Sequence, residues 1–109
     1  MPVVTIAAPA HPDEAQLAGR VADAVADALG LGSGDVVAMT IPARTTVASG
    51  GHGAGSAPWA VIGVHGSDRG AVAMRRACDA AHAVAADWNL EHDGALEGVW
   101  CEWLLPQRP

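Results

Sequence analysis

Met1-Pro2-Val3-Val4-Thr5-Ile6-Ala7-Ala8-Pro9-Ala10-His11-Pro12-Asp13-Glu14 is the stretch that decides the fold. Val3 to Ala7 is rich in β-branched residues, and Pro9 ends the run because proline has no amide hydrogen for a sheet ladder. This predicts a strand that begins directly after Pro2. Pro12, Asp13 and Glu14 then suit a helix start, where a missing amide hydrogen is no loss and negative charge meets the positive end of the dipole. Leu17, Val21, Ala24, Val25 and Ala28 follow at helical spacing and share one face. Arg20, Asp23 and Asp27 fall on the other side, and Gly30, Gly32 and Gly34 stop the helix. Asp35 to Ile41 predicts a second strand, with Val37, Met39 and Ile41 on one face and Pro42 at its end.

The same order then returns. Trp59 to His65 predicts a third strand, and Gly66, Ser67 and Asp68 supply capping residues for a second helix. Its buried stripe runs Met74, Ala77, Cys78, Ala81, Ala85 and Trp88. After a polar connection holding Asp93 and Gly94, Val99 to Leu105 alternates Val99, Cys101 and Trp103 against Trp100, Glu102 and Leu104. A helix between neighbouring strands makes each half a parallel βαβ unit with a right-handed connection. The expectation is one α+β domain over residues 1–109, with halves 1–42 and 58–109 joined by a Gly-rich loop at 43–57. Its four-stranded sheet carries both helices on one face. The other face keeps apolar residues, which another subunit buries most simply, so an oligomer is expected.

Composition narrows the function. The 109 residues carry 6 Lys+Arg against 12 Asp+Glu, a net charge of -6, and every cation is arginine. This argues against nucleic acid or anionic lipid as partner, since both require a basic surface. The absence of lysine excludes a lysine Schiff base and a phosphate-loop lysine. Ser49 to Ser56 is rich in glycine but leads into a strand rather than a helix, with no Gly-Lys-Ser/Thr after it, and reads as a connection or subunit contact. Cys78 and Cys101 form no Cys-x-x-Cys and no zinc spacing, and read as small apolar residues of a reducing compartment. His52, His65, His82 and His92 make no metal spacing either, so no metal is expected. The first cation is Arg20 and prolines stand at Pro2, Pro9 and Pro12, which fits neither a secretory signal nor a membrane span. The expected location is the cytoplasm.

Chemistry points first to Pro2. Removal of an initiator methionine before a small residue would expose a secondary amine, at once a nucleophile and a base. A terminal amine titrates at about 7.7 to 8.0 and moves lower when desolvated, toward the pH where a general base works best. A Met-Pro start without consequence is the alternative that the dipeptide alone leaves open.

Met1-Pro2-Val3-Val4-Thr5-Ile6, the Pro-Asp-Glu helix start, Leu29-Gly30-Leu31 before strand two and the doubled βαβ order together resemble the tautomerase superfamily over nearly the whole chain. The long-subunit branches are the most similar, those of 5-carboxymethyl-2-hydroxymuconate isomerase, macrophage migration inhibitory factor and malonate semialdehyde decarboxylase. The resemblance implies a homotrimer whose sheets enclose a barrel-like core, an amino-terminal proline as catalyst, a small carboxylate substrate and no cofactor. It implies a keto–enol tautomerase with Pro2 as general base on an unsaturated 2-oxo or 2-hydroxy acid. A decarboxylase or hydratase-dehalogenase with protonated Pro2, and a trimeric binding module without chemistry, are the alternatives.

If strands one and three pair antiparallel, the end of strand three lies beside Pro2. Arg69 there matches the arginine with which long-subunit enzymes hold a substrate carboxylate, while an exposed arginine paired with Asp68 is the competing explanation. Arg44 past strand two is placed to reach a neighbouring subunit's pocket or to stand in solvent. Asp35 resembles the water-activating acid of the decarboxylase branch, or else caps a turn. Trp103 is a pocket wall or a packing residue. His11 stands roughly where the short tautomerases carry an arginine. The lysine and tyrosine of the migration-inhibitory-factor pocket have no counterpart, because the chain contains neither residue type.

Overall fold

The structure is a computed structural model, and it describes residues 1–50 and 57–107. Strand β1 (Val3–Ala8), helix α1 (Glu14–Leu29) and strand β2 (Val37–Pro42) are followed by β3 (Trp59–His65), α2 (Ala71–Glu91) and β4 (Gly98–Leu104). The strands form a single four-stranded sheet in the order β2-β1-β3-β4. β1 runs parallel to β2 and β3 parallel to β4, while β1 and β3 meet antiparallel in the centre with Val3 opposite His65. The two βαβ units are therefore related by a pseudo-twofold between the central strands.

Both helices cover one face. Val4 and Ile6 of β1 and Ala60, Ile62 and Val64 of β3 point toward them and meet Leu17, Val21 and Val25 of α1 and Ala77, Ala81, Ala85 and Trp88 of α2. All are buried, and each large aliphatic side chain removed from water contributes about 1.5–3 kcal/mol. The stripe of α2 is built of alanines, which lets α1 and α2 pack closely over the sheet, and one large residue, Trp88, ends it. Gly30 ends α1 with φ of 67°, a left-handed turn that a side chain would strain, and its amide bonds back to Asp27.

The opposite face carries Val37, Met39 and Ile41 of β2, Trp59 and Val61 of β3, and Trp100 and Leu104 of β4, all exposed. Register gathers them into rows across the sheet, such as Ile41, Ala7, Val61 and Trp100. An exposed apolar face of this kind marks an interaction surface.

Several boundaries differ from the sequence reading, and β1 and β2 each run one residue further than read, to Ala8 and Pro42. β2 begins at Val37 rather than Asp35, because the Asp35 carboxylate accepts the Gly32 amide at 2.9 Å and closes a turn first. α2 begins at Ala71 rather than at Gly66 to Asp68: the Asp68 carboxylate accepts the Gly70 amide at 2.8 Å, and Gly70 turns the chain at φ of 87° before the helix starts. β4 spans Gly98–Leu104, one residue earlier than read at each end. Of the Gly-rich connection, residues 51–56, with His52, lie outside the described residues.

Candidate active site

Pro2 stands at the entry to β1 and is fully buried, whereas Met1 before it is exposed. Its carbonyl accepts the Val37 amide at 3.3 Å, which anchors the proline to the head of β2. Continuing the antiparallel register by one step past Val3 and His65 sets Gly66 opposite Pro2. Gly66 in turn donates its amide to Leu104 at 3.2 Å, and its carbonyl accepts the Trp103 indole N–H at 3.3 Å. The indole presses on this backbone: a Cβ on Gly66 would lie 2.8 Å from Trp103 Cζ2. Trp103 is thus half-buried on the helix side of β4, fixed against the residue that faces Pro2.

Arg69 lies three residues beyond Gly66 in the connection to α2. Its side chain is half-buried, and its Nε is sealed from solvent with no hydrogen-bond partner among the described residues. Asp68, the competing partner in the sequence reading, is engaged with Gly70 instead. A buried guanidinium N–H without an acceptor is costly, on the order of 1–3 kcal/mol, and calls for an oxygen from water, an ion or a ligand.

The other candidates divide between the two ends of the sheet. Asp35 is exposed and sits just before β2, at the same end as Pro2 because β1 and β2 are parallel. Arg44 is exposed two residues past β2, at the opposite end, so within one chain it is separated from Pro2 by the length of a strand. His11 is also at that far end. It lines a cavity of about 220 Å³ with Ile6, Leu17, Thr40, Trp88 and Leu96.

Cys78 and Cys101 are free thiols that touch one another between α2 and β4. Burial pushes both upward, Cys101 the more, so neither is a ready thiolate. On the open face, Thr5 Oγ1 and His65 Nε2 lie 3.1 Å apart across the central strands. At the far end, His11, Asp13 and His92 converge, a grouping that no linear spacing discloses.

The sheet order β2-β1-β3-β4 and the two βαβ halves are the features on which this fold compares with known proteins. No family model matches the chain, and no curated protein does. Solved structures carry the likeness. 5-Carboxymethyl-2-hydroxymuconate delta-isomerase superposes with a TM-score of 0.66 at 16% identity, covering 99% of this chain and 84% of the other. A fused 4-OT wild-type symmetric trimer gives 0.67 at 16% identity, over 98% and 85%. Macrophage migration inhibitory factor of Toxoplasma gondii gives 0.69 at 21% identity, over 96% and 90%. Likeness at these identities establishes the fold.

Proposed function

We propose that the protein is a cofactor-independent tautomerase in which Met1 is removed and the Pro2 amine acts as general base on a small unsaturated 2-oxo or 2-hydroxy acid. The observation that carries this reading is the buried, unpartnered Nε of Arg69 at the end of the sheet where Pro2 stands. A guanidinium in that state calls for an anionic oxygen, and a carboxylate accepts two of its N–H groups at once. Loss of the exposed Met1 would open the ring nitrogen of a proline otherwise walled by strands β1, β2 and the Gly66 backbone. Burial of the ring and the nearby Arg69 charge disfavour the charged ammonium, which lowers the amine's pKa.

In the reaction the amine takes a proton from the enol oxygen, or from carbon α to the carbonyl. The electron pair left behind spreads over the conjugated system, and the prolinium returns the proton at another carbon, so the substrate is isomerised without net change. Arg69 holds the carboxylate and stabilises the charge that develops on the dienolate. Trp103 supplies a rigid wall through its hold on Gly66.

The functional unit in this reading is a homotrimer. Its support is the open apolar face and the trimeric state of the fused 4-OT relative in structure. In such an assembly Arg44, at the far end of its own sheet, would serve the Pro2 of a neighbouring copy rather than its own. The reading is tested by assaying methionine-free protein on 2-hydroxymuconate and phenylenolpyruvate. Activity that Pro2→Ala abolishes supports it; full activity in Pro2→Ala removes the proline mechanism.

A further inference from the structure

At the end of the sheet away from Pro2, three side chains from distant parts of the sequence meet. His11 and Asp13 belong to the connection from β1 to α1, and His92 is the residue that ends α2. One ligand atom from each lies within 4.8 Å of the others. His92 Nε2 and Asp13 Oδ2 are 3.0 Å apart. The rings lie against one another: His92 stacks on Trp88 at 4.1 Å, and His11 meets both edge-on at 4.9 and 5.0 Å.

The hydrogen-bond pattern around His92 identifies what belongs between these groups. Its Nδ1 lies 2.7 Å from the Trp88 carbonyl oxygen, which only accepts, so Nδ1 carries the hydrogen. Nε2 then faces Asp13, where it either carries a proton and pairs with the carboxylate or offers a lone pair. A lone pair facing a carboxylate requires a cation, either a proton or a metal ion. The same arrangement, a ring N–H tied to a backbone carbonyl and the other nitrogen left free, orients metal-bound histidines generally.

Asp13 adds an independent sign. It occupies the N-cap of α1, where a carboxylate ordinarily accepts one of the first free amides, yet its side chain makes no capping bond and turns to His92 instead. The C-terminal end of α2 also favours positive charge beside His92. Distance is compatible as well: two ligands about 2.0–2.1 Å from an octahedral or tetrahedral ion are about 2.8–3.4 Å apart, a range that contains the 3.0 Å between His92 and Asp13.

We propose that His11, Asp13 and His92 form a binding site for a divalent first-row transition metal, with Zn²⁺ as the probe ion. Two imidazoles and one carboxylate select such an ion over Mg²⁺ or Ca²⁺, which take oxygen ligands. His11 Nδ1 now accepts the Asp13 amide at 3.0 Å. Binding exchanges that bond for a metal bond or turns the ring to present Nε2. The ion would clamp the start of α1 to the end of α2, at the rim of the cavity that His11 lines.

The test uses tag-free, chelator-treated and dialysed protein. Calorimetric titration is expected to give one Zn²⁺ per chain and a raised melting temperature, with no response to Mg²⁺. Asp13→Asn and His92→Ala should each weaken binding at least about tenfold, the scale on which even the outer partners of metal-bound histidines act. His82→Ala, on the exposed side of α2, should leave it unchanged. Co²⁺-loaded wild-type protein should show visible absorption and two paramagnetically shifted imidazole N–H resonances, a readout that needs no variant to fold. Absence of Zn²⁺ binding at about 100 μM, a hundredfold above a micromolar Kd, would overturn the proposal. So would binding retained in His92→Ala, or a Co²⁺ spectrum without imidazole signals.

Discussion

Gly66→Ala is the substitution whose effect the geometry defines most closely. Gly66 is opposite Pro2, and the three atoms nearest to an added Cβ all belong to Trp103, at 2.8, 3.4 and 3.6 Å. The closest is well inside van der Waals contact, and the indole cannot retreat without stretching its 3.3 Å bond to the Gly66 carbonyl. Overpacking of this kind costs about 1–3 kcal/mol. For a domain of this size each kcal/mol lowers the melting temperature by about 4 °C, so a fall of about 4–12 °C is expected. The cause is isolated by a double-mutant cycle in urea unfolding at fixed protein concentration. In a Trp103→Ala background the clash has no partner, and the residual effect of Gly66→Ala is the loss of chain freedom in the unfolded state, a stabilisation of about 0.4–1 kcal/mol. The coupling between the two sites should therefore be at least about 1 kcal/mol. Additive effects, or a Gly66→Ala protein as stable as the wild type, would refute the claim that Trp103 holds this backbone.

Arg69→Ala should lower kcat/KM by about 10- to 100-fold, through both KM and kcat, as expected for a charged hydrogen bond worth about 1.5–3 kcal/mol that also stabilises the dienolate; steady-state kinetics check this. Arg69→Lys should recover only part, because it lacks the buried Nε–H. Val61→Glu places a charge in the middle of the bare sheet face and should yield monomers by analytical ultracentrifugation; a persistent trimer would mean that the face is covered otherwise. The Arg20 guanidinium, which forms a two-pronged pair with Glu91, holds the Glu91 carboxyl below the usual carboxylate range. A depressed carboxylate stabilises the fold above its unfolded pKa and loses that contribution as pH falls through the folded one. Glu91→Gln should thus be slightly less stable than wild type at pH 7, and chemical denaturation should show the gap closing below about pH 4.

The strands were legible in the sequence because alternation and β-branched residues translate directly into pleat and burial. Val3 to Ala7 and Trp59 to His65 are strands as read, and Val4 and Ile6, and Ala60, Ile62 and Val64, face the helices. The stripe Ala77, Ala81, Ala85 and Trp88 was equally plain at helical spacing. The start of α2 was not, because Asp68 serves a turn through Gly70 as readily as it caps a helix, and only backbone geometry separates the two. Arg69 was visible as a residue type in a suggestive place; its orphaned nitrogen is a property of packing. The meeting of His11 and Asp13 with His92 depends on where α2 ends relative to β1, across 79 positions between Asp13 and His92, and no local signal carries that.

The central claim rests on one nitrogen. With lysine absent from the chain, a terminal Pro2 is the amine on which the proposed chemistry depends. Intact-mass measurement of the protein made in its native setting, followed by the same protein's pH–rate profile, tests it most directly. The account predicts a mass lower by one methionine residue and a rate that rises as a single amine near or below neutral pH loses its proton. A retained Met1 makes that nitrogen an amide, and finding it in active native protein would contradict the account.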